Sequence, residues 1–381
     1  MAVPPYEAAI APASTTKRLS PAKRLLLTVS ELWAWFFLAL MVLFFVASVP
    51  VFSSATFVSI RNSQNILVAI TPVVLLGLGQ TFVIISAGID LSVGWVMSFA
   101  SVISALAIRG SFNAGAPIYL SVIIGFFVAL IGAAFVGAIN GTIIAKLKVP
   151  AFIVTLGTSF IMRGVGLLMS ENTTVIGLPN IRAYGNESVF YLVRGEGGGF
   201  YFLHPPPLST DMLRQLDRIL AWPVVVTAIV VAIAMFLLHR TQFGRHIYAI
   251  GGNLEAARRA GIPVDRRIIA IYALSSATAG IAGFLSTLRY TAGSAVIGDP
   301  LLLSSIAAVI IGGVSLFGGA GTVMGTVIGS LIIAVLTTGL VMLNVQAFWQ
   351  YIVVGAVVII AVLIDQSRDL ILGRGKTGAD A

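Results

Sequence analysis

Long apolar stretches separated by short polar ones constrain the fold of this chain more than any other feature of its sequence. Ten of them have about the 20 residues that a helix needs to cross a lipid bilayer. They lie at 32–52, 64–87, 91–109, 117–145, 150–170, 220–239, 268–290, 301–318, 322–343 and 349–365. Charged residues form only 10% of the chain and apolar residues 58%, whereas a soluble domain is about 25% charged. The sequence therefore predicts an all-α, polytopic transmembrane helical bundle of about ten spans.

Two gaps between the predicted spans are too short to be ordinary loops. Gly88, Ile89 and Asp90 alone separate the second span from the third, within a joint at 88–94, and a glycine-rich segment at 312–325 joins the eighth to the ninth. Glycine clusters interrupt helices, so a broken or re-entrant helix is a second interpretation of either joint. The apolar stretches otherwise follow one another closely, which predicts a single transmembrane domain over 31–366 between polar tails at 1–30 and 367–381.

The positions of Lys and Arg predict which loops face the cytoplasm. Most Lys and Arg lie in both tails, at Lys146 and Lys148, and in the loop at 240–267. These segments all face the same side of the membrane if the number of spans is even and the N-terminus is cytoplasmic. Cytoplasmic loops carry an excess of these residues, so both termini are expected in the cytoplasm. The long loop at 171–219 then lies outside, and a short amphipathic helix is predicted near 209–219.

Several classes of chemistry are excluded by the residues that the chain lacks. It has no cysteine, which rules out disulfides, thiol catalysis and cysteine metal sites. Its three histidines lie in loops or at a span end without the pairing of a metal site, so no metal and no catalytic residue is predicted. The net charge of +9 is confined to short loops, which argues against a nucleic-acid partner. The tail sequence Gly375-Lys376-Thr377 lacks the earlier glycine of a phosphate-binding loop, because Leu370 stands there.

The loop between the sixth and seventh spans contains the signals of a short helix. Asn253 is a good N-cap and Glu255 suits the positive end of the helix dipole. Arg258 and Arg259 fall in the last turn, three and four residues from Glu255, a spacing at which either can pair with it on one face. Gly261 suits the C′ position. A helix over 254–260 is marginal alone, so it is expected to dock onto a partner, or else to rest on lipid headgroups.

Polar residues at span ends and inside spans are candidates for the transport pathway or for structural roles. Asp90 and Ser92 precede the third span, where a carboxylate is either an N-cap, the favoured interpretation, or part of a pathway. The neutral candidates inside spans are expected to bond neighbouring helices rather than a solute. The complete set of candidates is Asp90, Ser92, Asn140, Thr155, Ser275 and Asp299.

Glycines recur every four residues at two places in the predicted spans. One pair is Gly137 and Gly141, and the other run is Gly321, Gly325 and Gly329. Small residues at this spacing let helix backbones approach closely in lipid. Packing within the subunit is favoured over a seam between two copies.

Four motifs in the same order resemble the permeases of monosaccharide ABC importers, the ribose, xylose, arabinose and galactose group. They are Gly-Ile-Asp-Leu-Ser-Val-Gly at 88–94, the loop that contains the 254–260 helix, the glycine-rich stretch at 306–329, and Phe-Trp-Gln at 348–350. Many members carry an acidic pair just before the Ile-Ala-Ala segment, whereas this chain has 301–305 without an acid there. The resemblance covers about 60–365 and leaves the sugar undetermined.

This resemblance implies a location in the bacterial inner membrane, among membrane lipids, and a set of partners. They are a separate ATPase subunit that uses ATP and Mg, an extracytoplasmic sugar-binding protein, and a second permease copy, most simply an identical one. The chain itself is expected to bind no cofactor and to lack an ATPase site. Coupling to the ATPase is implied for Gly251, Gly252, Asn253, Glu255, Ala256, Ala257, Arg258, Arg259 and Gly261. The alternatives are a permease for branched-chain amino acids or a sugar-like signal, and a secondary transporter.

Overall fold

The computed structural model describes residues 21–53, 56–194, 198–203 and 216–371, and the contacts discussed below involve residues from 34 onward. Residue contacts separate 1–33 from 34–381, and the described part of the first unit is the beginning of helix α1. The predicted tail motif at 375–377 and most of the N-terminal tail lie outside the described residues.

The described chain is mainly helical, in agreement with the predicted fold class. The helices are α1 Pro21–Phe52, α2 Ile60–Ile85, α3 Val93–Asn113, α4 Ile118–Leu147, α5 Ala151–Met169, α6 Arg182–Asn186, α7 Trp222–Arg240, α8 Gln242–Gly252, α9 Leu254–Arg259, α10 Val264–Tyr290, α11 Asp299–Ile311, α12 Val323–Met342 and α13 Ala347–Ile371. Among the described residues, eight are long and apolar enough to span a membrane, namely α2–α5, α7, α10, α12 and residues 34–52 of α1. Asp299–Ile311 and Ala347–Val357 are shorter apolar helices.

The eighth predicted span, 301–318, is wrong as a complete crossing. Helix α11 has 13 residues, which extend only about 20 Å, and it ends at Ile311 with Gly312 as its C-cap. Gly313 and Gly318 adopt positive φ of 80° and 83°, so the chain turns there instead of continuing as a helix. The segment from 312 to 322, called the glycine loop below, connects α11 to α12.

A small antiparallel sheet departs from the all-α prediction. Strands β1 Ser188–Val193, β2 Gly199–Phe202 and β3 Leu216–Ala221 pair in the order β2-β1-β3. Residues 209–215 of the predicted amphipathic helix lie outside the described residues, and the remainder forms β3 rather than a helix. The β-branched and aromatic residues of β1 favour a strand, and pairing with β1 decides the conformation of this segment.

The core is built around α10, which packs against α2, α3 and α4. Close approach depends on small residues: a Cβ on Gly280 would meet Ala129 and Ala133 of α4, and one on Gly283 would meet Met97 and Ala100 of α3. Outward faces of α4 and α5 expose large apolar side chains, as expected of surfaces in lipid.

Contacts at the helix termini define two ends of this bundle. At the α8–α9 end, the last residue of α2 accepts a hydrogen bond from the glycine loop, with Gly319 N donating to Ile85 O at 2.8 Å. At the sheet end, Asn186 donates to the carbonyl of Arg289 near the end of α10 at 2.9 Å, and Trp222 N donates to Glu187 O. The break at 312–322 therefore lies at the α8–α9 end, and the break at 86–92 begins there and extends into the bundle, where Asp90 reaches Ser275 of α10.

Candidate functional site

The predicted short helix is confirmed as α9, and its termini have the expected chemistry. The Asn253 side chain accepts a hydrogen bond from Ala256 N at 2.9 Å, and Gly261 adopts a positive φ of 77° beyond the C-terminus. The predicted pairing of Glu255 with an arginine is wrong, because Arg258 instead reaches Asp265, at 3.4 Å. That ion pair joins α9 to the beginning of α10.

Helix α9 presents most of its surface to solvent. Ala257 is 3% exposed and packs with Ile250 and Val264, which anchors one narrow face. The exposed residues in and beside α9 are Gly252, Asn253, Leu254, Glu255, Ala256, Arg258, Arg259, Ala260 and Gly261. A six-residue helix held by one small buried side chain and one exposed ion pair, with an apolar residue and charges on its free face, is suited to insertion into a partner's groove.

Helix α8 precedes α9 and was not predicted. Thr241 caps it, accepting from Gly244 N at 3.4 Å. Near its C-terminus Gly251 lies directly against the backbone of Ile85 and Gly319, so it contacts the end of α2 and the glycine loop together. The apolar residues of α8 recur at the spacing of one face of a helix, and this periodicity is the sequence signal that could have revealed it.

Two side chains of α8 reinforce this contact. The Tyr248 hydroxyl donates to Gly321 O at 2.6 Å, and burial raises the pKa of Tyr248, which keeps the donor protonated. Partial burial, followed by the positive charges of Arg267 and Arg245, lowers the pKa of His246 below its ordinary value. The imidazole is therefore neutral near pH 7, and its Nδ1 accepts from Arg267 Nε at 3.0 Å.

Five of the six predicted pathway or structural candidates meet in one buried polar cluster at the joint between α2 and α3. Asp90, Ser92, Asn140, Thr155 and Ser275 each have 0% exposure. One oxygen of Asp90 accepts from Ser92 N at 2.9 Å and from Ser92 Oγ at 2.6 Å, and the other accepts from Ser275 Oγ at 2.8 Å. These bonds hold the joint to α10.

The cluster continues into α4 and α5. Asn140 Nδ2 donates to Ser92 Oγ at 3.1 Å, and Thr158 Oγ1 donates to Asn140 Oδ1 at 2.6 Å. Gln80 of α2, which was not predicted, donates to the Asp90 carbonyl from a fully buried position. A single amide in an apolar run is the signal that could have pointed to it. The carboxylate is satisfied by three donors, so the arrangement is that of a structural joint.

Asp299 does not join this cluster. It lies in the first turn of α11, and it is exposed. Among the described residues, the ion pairs are Arg194–Asp217 and Arg258–Asp265, and neither involves Asp299.

The predicted packing glycines occupy two kinds of environment. A Cβ on Gly137 would meet Tyr272 and Ser276 of α10, and one on Gly141 would meet Ile269. Gly325 and Gly329 of α12 lie in the same way against the backbone of Gly312 and Ala308. Gly321, with φ of 145°, belongs to the glycine loop rather than to α12, so its place in the predicted helical run is wrong.

Comparison with known proteins identifies relatives over most of the chain. The family described as "Branched-chain amino acid transport system / permease component" matches residues 62–362. The fructose import permease protein of Rhizobium meliloti is 38% identical over 310 residues, which cover 81% of this chain and 79% of the relative.

Two further relatives are permeases named for other sugars. The xylose transport system permease protein of Haemophilus influenzae is 36% identical, over 83% of this chain and 92% of its own length. The ribose import permease protein of Escherichia coli is 34% identical, over 83% of this chain and 88% of its own length. No solved structure matches the chain.

Proposed function

Because the chain belongs to the branched-chain amino acid transport system / permease component family, and is a transport component rather than an enzyme, we propose that it is the membrane-spanning subunit of an ATP-driven monosaccharide importer. The relatives named for fructose, xylose and ribose support a monosaccharide as the solute. ATP and Mg are used by a separate ATPase, and a binding protein delivers the sugar at the sheet end. Two copies of this permease form the membrane part, in the inner membrane, with both termini in the cytoplasm.

The contact of Gly251 with both Ile85 and Gly319 is the observation that carries this proposal. An ATPase that holds the exposed face of α9 moves α8 with it, because Asn253 alone separates the two helices. Through Gly251 that movement reaches the end of α2 and the glycine loop at once. Small shifts at such an interface are amplified when they are passed to packed helices.

A cavity of about 430 Å³ between α9 and the joint gives this element room to move. Its walls include Gly88 of the joint, Lys148 of the turn between α4 and α5, and Glu255 and Arg258 of α9. Helix α9 is therefore attached to the bundle through few contacts, and its position responds to a partner more readily than that of the packed core.

Reconstitution tests the proposal. The permease is placed in proteoliposomes with the ATPase and binding protein of the same operon, and uptake of labelled D-fructose, D-xylose, D-ribose and L-leucine is measured with and without ATP. We expect ATP-dependent uptake of one sugar. Uptake of leucine alone supports the amino-acid solute in the family's description, and sugar uptake that follows a proton or sodium gradient without ATP contradicts an ABC importer.

Charge reversal on α9 tests the coupling role separately. Glu255→Arg should reduce copurification of the ATPase, because it replaces the acid of an exposed face that has just two other charged side chains. Glu187→Arg, at the exposed sheet end, is the matched control and should leave ATPase binding unchanged. Full copurification and sugar-stimulated hydrolysis with Glu255→Arg would show that this face is not the ATPase contact.

A further inference from the structure

Asp299 lies at the level of the membrane interior. A Cβ on Gly298 would meet the backbone of Gly94, and Gly298 N donates to Ser98 Oγ at 2.9 Å, so the start of α11 packs on the first turn of α3. Helix α3 lies beside α10, where Gly283 approaches Met97. This places Asp299 level with roughly residue 280 of α10, about 15 Å from one end of that helix and about 24 Å from the other.

The chain reaches this level by a break in its eighth crossing. After α10 ends at Tyr290, Gly293 packs against Ser101 and Ala105 of α3, and Ser294 N donates to Ser101 Oγ at 3.2 Å. Residues 291–298 then descend along α3, and α11 continues from Asp299 toward the α8–α9 end. A crossing made of an irregular segment and a half-helix occurs in lipid only where protein or water covers it.

The exposed stripe around Asp299 differs from the lipid-facing surfaces of the bundle. Val296, Asp299 and Leu303 share this stripe, and Leu303 is 72% exposed. On α4, by contrast, the outward residues at similar spacing are all apolar, as at Phe127, Ile131 and Phe135. An acid that faces lipid near the centre of the bilayer costs at least about 2.5 kcal/mol. No cation pairs with Asp299 in the described part of the chain to offset that cost.

A dry seam between two permease copies would bury the carboxylate, which is also expensive unless a cation pairs with it. Water around Asp299 resolves this cost. The stripe is therefore expected to line a water-filled passage, and a passage through the membrane interior of a permease is the path of its solute.

A cavity of about 270 Å³ lies against a different face of the same turn of α11. Ile297, Pro300 and Leu301 form one wall, and Asp299 is not among the residues that line it. The cavity is therefore separate from the stripe of Val296, Asp299 and Leu303.

We propose that the start of α11 is a sugar-contact site on the transport pathway, where Asp299 faces water and accepts hydrogen bonds from sugar hydroxyls. Carboxylate oxygens are acceptors only, and hydroxyl donors complement them. This inference rests on the proposed function, which supplies the sugar.

The absence of cysteine from the chain makes the water-facing position directly measurable. Leu303→Cys probes the stripe, and Ile131→Cys is the matched control, since Gly280 places Ala129 and Ala133 at the level of the same part of α10. Each variant, in nanodiscs with its ATPase, is treated with the charged reagent sulfonatoethyl methanethiosulfonate, without nucleotide and with ATP. Thiolates form in water rather than in lipid, so Leu303→Cys should react at least about 10-fold faster than Ile131→Cys.

Asp299→Leu and Asp299→Asn test the sugar contact. Among variants that copurify with the ATPase in wild-type amounts, Asp299→Leu should lower sugar uptake about 10-fold or more, because a hydrogen bond to a charged group is lost. Asp299→Asn, which keeps one acceptor oxygen, should retain more uptake. The transported sugar, presented by its binding protein, should also slow the labelling of Leu303→Cys.

The outcomes separate this inference from the proposed function. If the wild-type complex imports a sugar but Leu303→Cys is as unreactive as Ile131→Cys in both nucleotide states, the stripe does not face water and the inference fails alone. If Leu303→Cys reacts but Asp299→Leu imports sugar at the wild-type rate, the contact is wrong. If the wild-type complex imports no sugar, the proposed function fails while the labelling still reports the exposure of the stripe.

Discussion

Replacement of Gly251 by alanine should uncouple the permease from its ATPase. A Cβ at this position would overlap the carbonyl oxygen of Ile85, and it would also lie 2.6 Å from Gly319 N. Both neighbours are backbone atoms, which cannot rotate aside as a side chain does. Helix α8 must therefore move away from the end of α2 and from the glycine loop to accommodate one methyl group.

The size of the effect follows from the groups that are displaced. Inserting a methyl group into a packed contact costs about 1–3 kcal/mol. The Ile85 oxygen also accepts the hydrogen bond from Gly319, and its loss adds about 1 kcal/mol. A total of about 2–4 kcal/mol exceeds the 1.4 kcal/mol that corresponds to a factor of ten. We therefore expect a loss of at least about 10-fold in ATP-dependent uptake.

Gly110→Ala is the control, because it adds the same methyl group to a helical glycine of α3 that is outside the coupling residues. Apart from its chain neighbours and the backbone of its own helix, nothing lies within 4 Å of a Cβ at Gly110. Both variants are reconstituted with the ATPase, and uptake is measured together with ATP hydrolysis that depends on the binding protein. Gly110→Ala should behave like the wild type. Equal uptake by the two variants, with equal assembly, would refute transmission through the Gly251 contact.

Two further predictions concern the joint and the packing glycines. Asp90→Asn should fold and transport nearly normally, because it keeps an acceptor for Ser92. Asp90→Leu should lower the melting temperature, because it leaves buried donors unpaired at a cost of about 1–3 kcal/mol each. A well-folded Asp90→Asn protein without uptake would show that the charge itself is needed. Gly325→Leu should prevent purification of a monodisperse protein, because the new side chain would clash with the backbone of Gly312. Gly157→Leu is the control and should purify normally, because the space around Gly157 is open. Equal yields of the two variants would contradict tight packing at Gly325.

Local signals made α9 predictable, and long-range contacts made the polar cluster unpredictable in detail. Asn253 and Gly261 define the termini of α9 through a hydrogen bond and a dihedral angle within a few residues, so the local sequence is enough to predict where this helix begins and ends. The partner of Asp90 on α10, Ser275, is 185 residues away, and no local pattern pairs them. Polar residue types inside apolar spans indicated that both matter, but only the folded chain shows that they bond each other.

Errors at single residues arose where tertiary contacts overrode a local rule. The spacing of Glu255 and Arg258 favours a pair within α9, yet Asp265 at the start of α10 approaches Arg258 instead. Gly321 fits a four-residue helical repeat with Gly325, but its φ of 145° is open to glycine and ends the repeat in a loop. Periodicity reports what a helix would bury, and it does not report whether the backbone is helical.

The two joints where the count of spans was least certain are the two that α8 contacts. A continuous helix transmits a displacement along its axis, whereas a break lets the segments on its two sides move separately. Ile85 lies immediately before the break at 86–92, and Gly319 lies inside the break at 312–322. Because Gly251 contacts both residues, movement of α8 reaches one end of the satisfied Asp90 joint and one end of the half-helix that begins at Asp299. The broken helices that make the sequence hard to divide into spans are thus the elements that α8 contacts, and the proposed coupling predicts that a partner at α9 acts on the proposed passage through them.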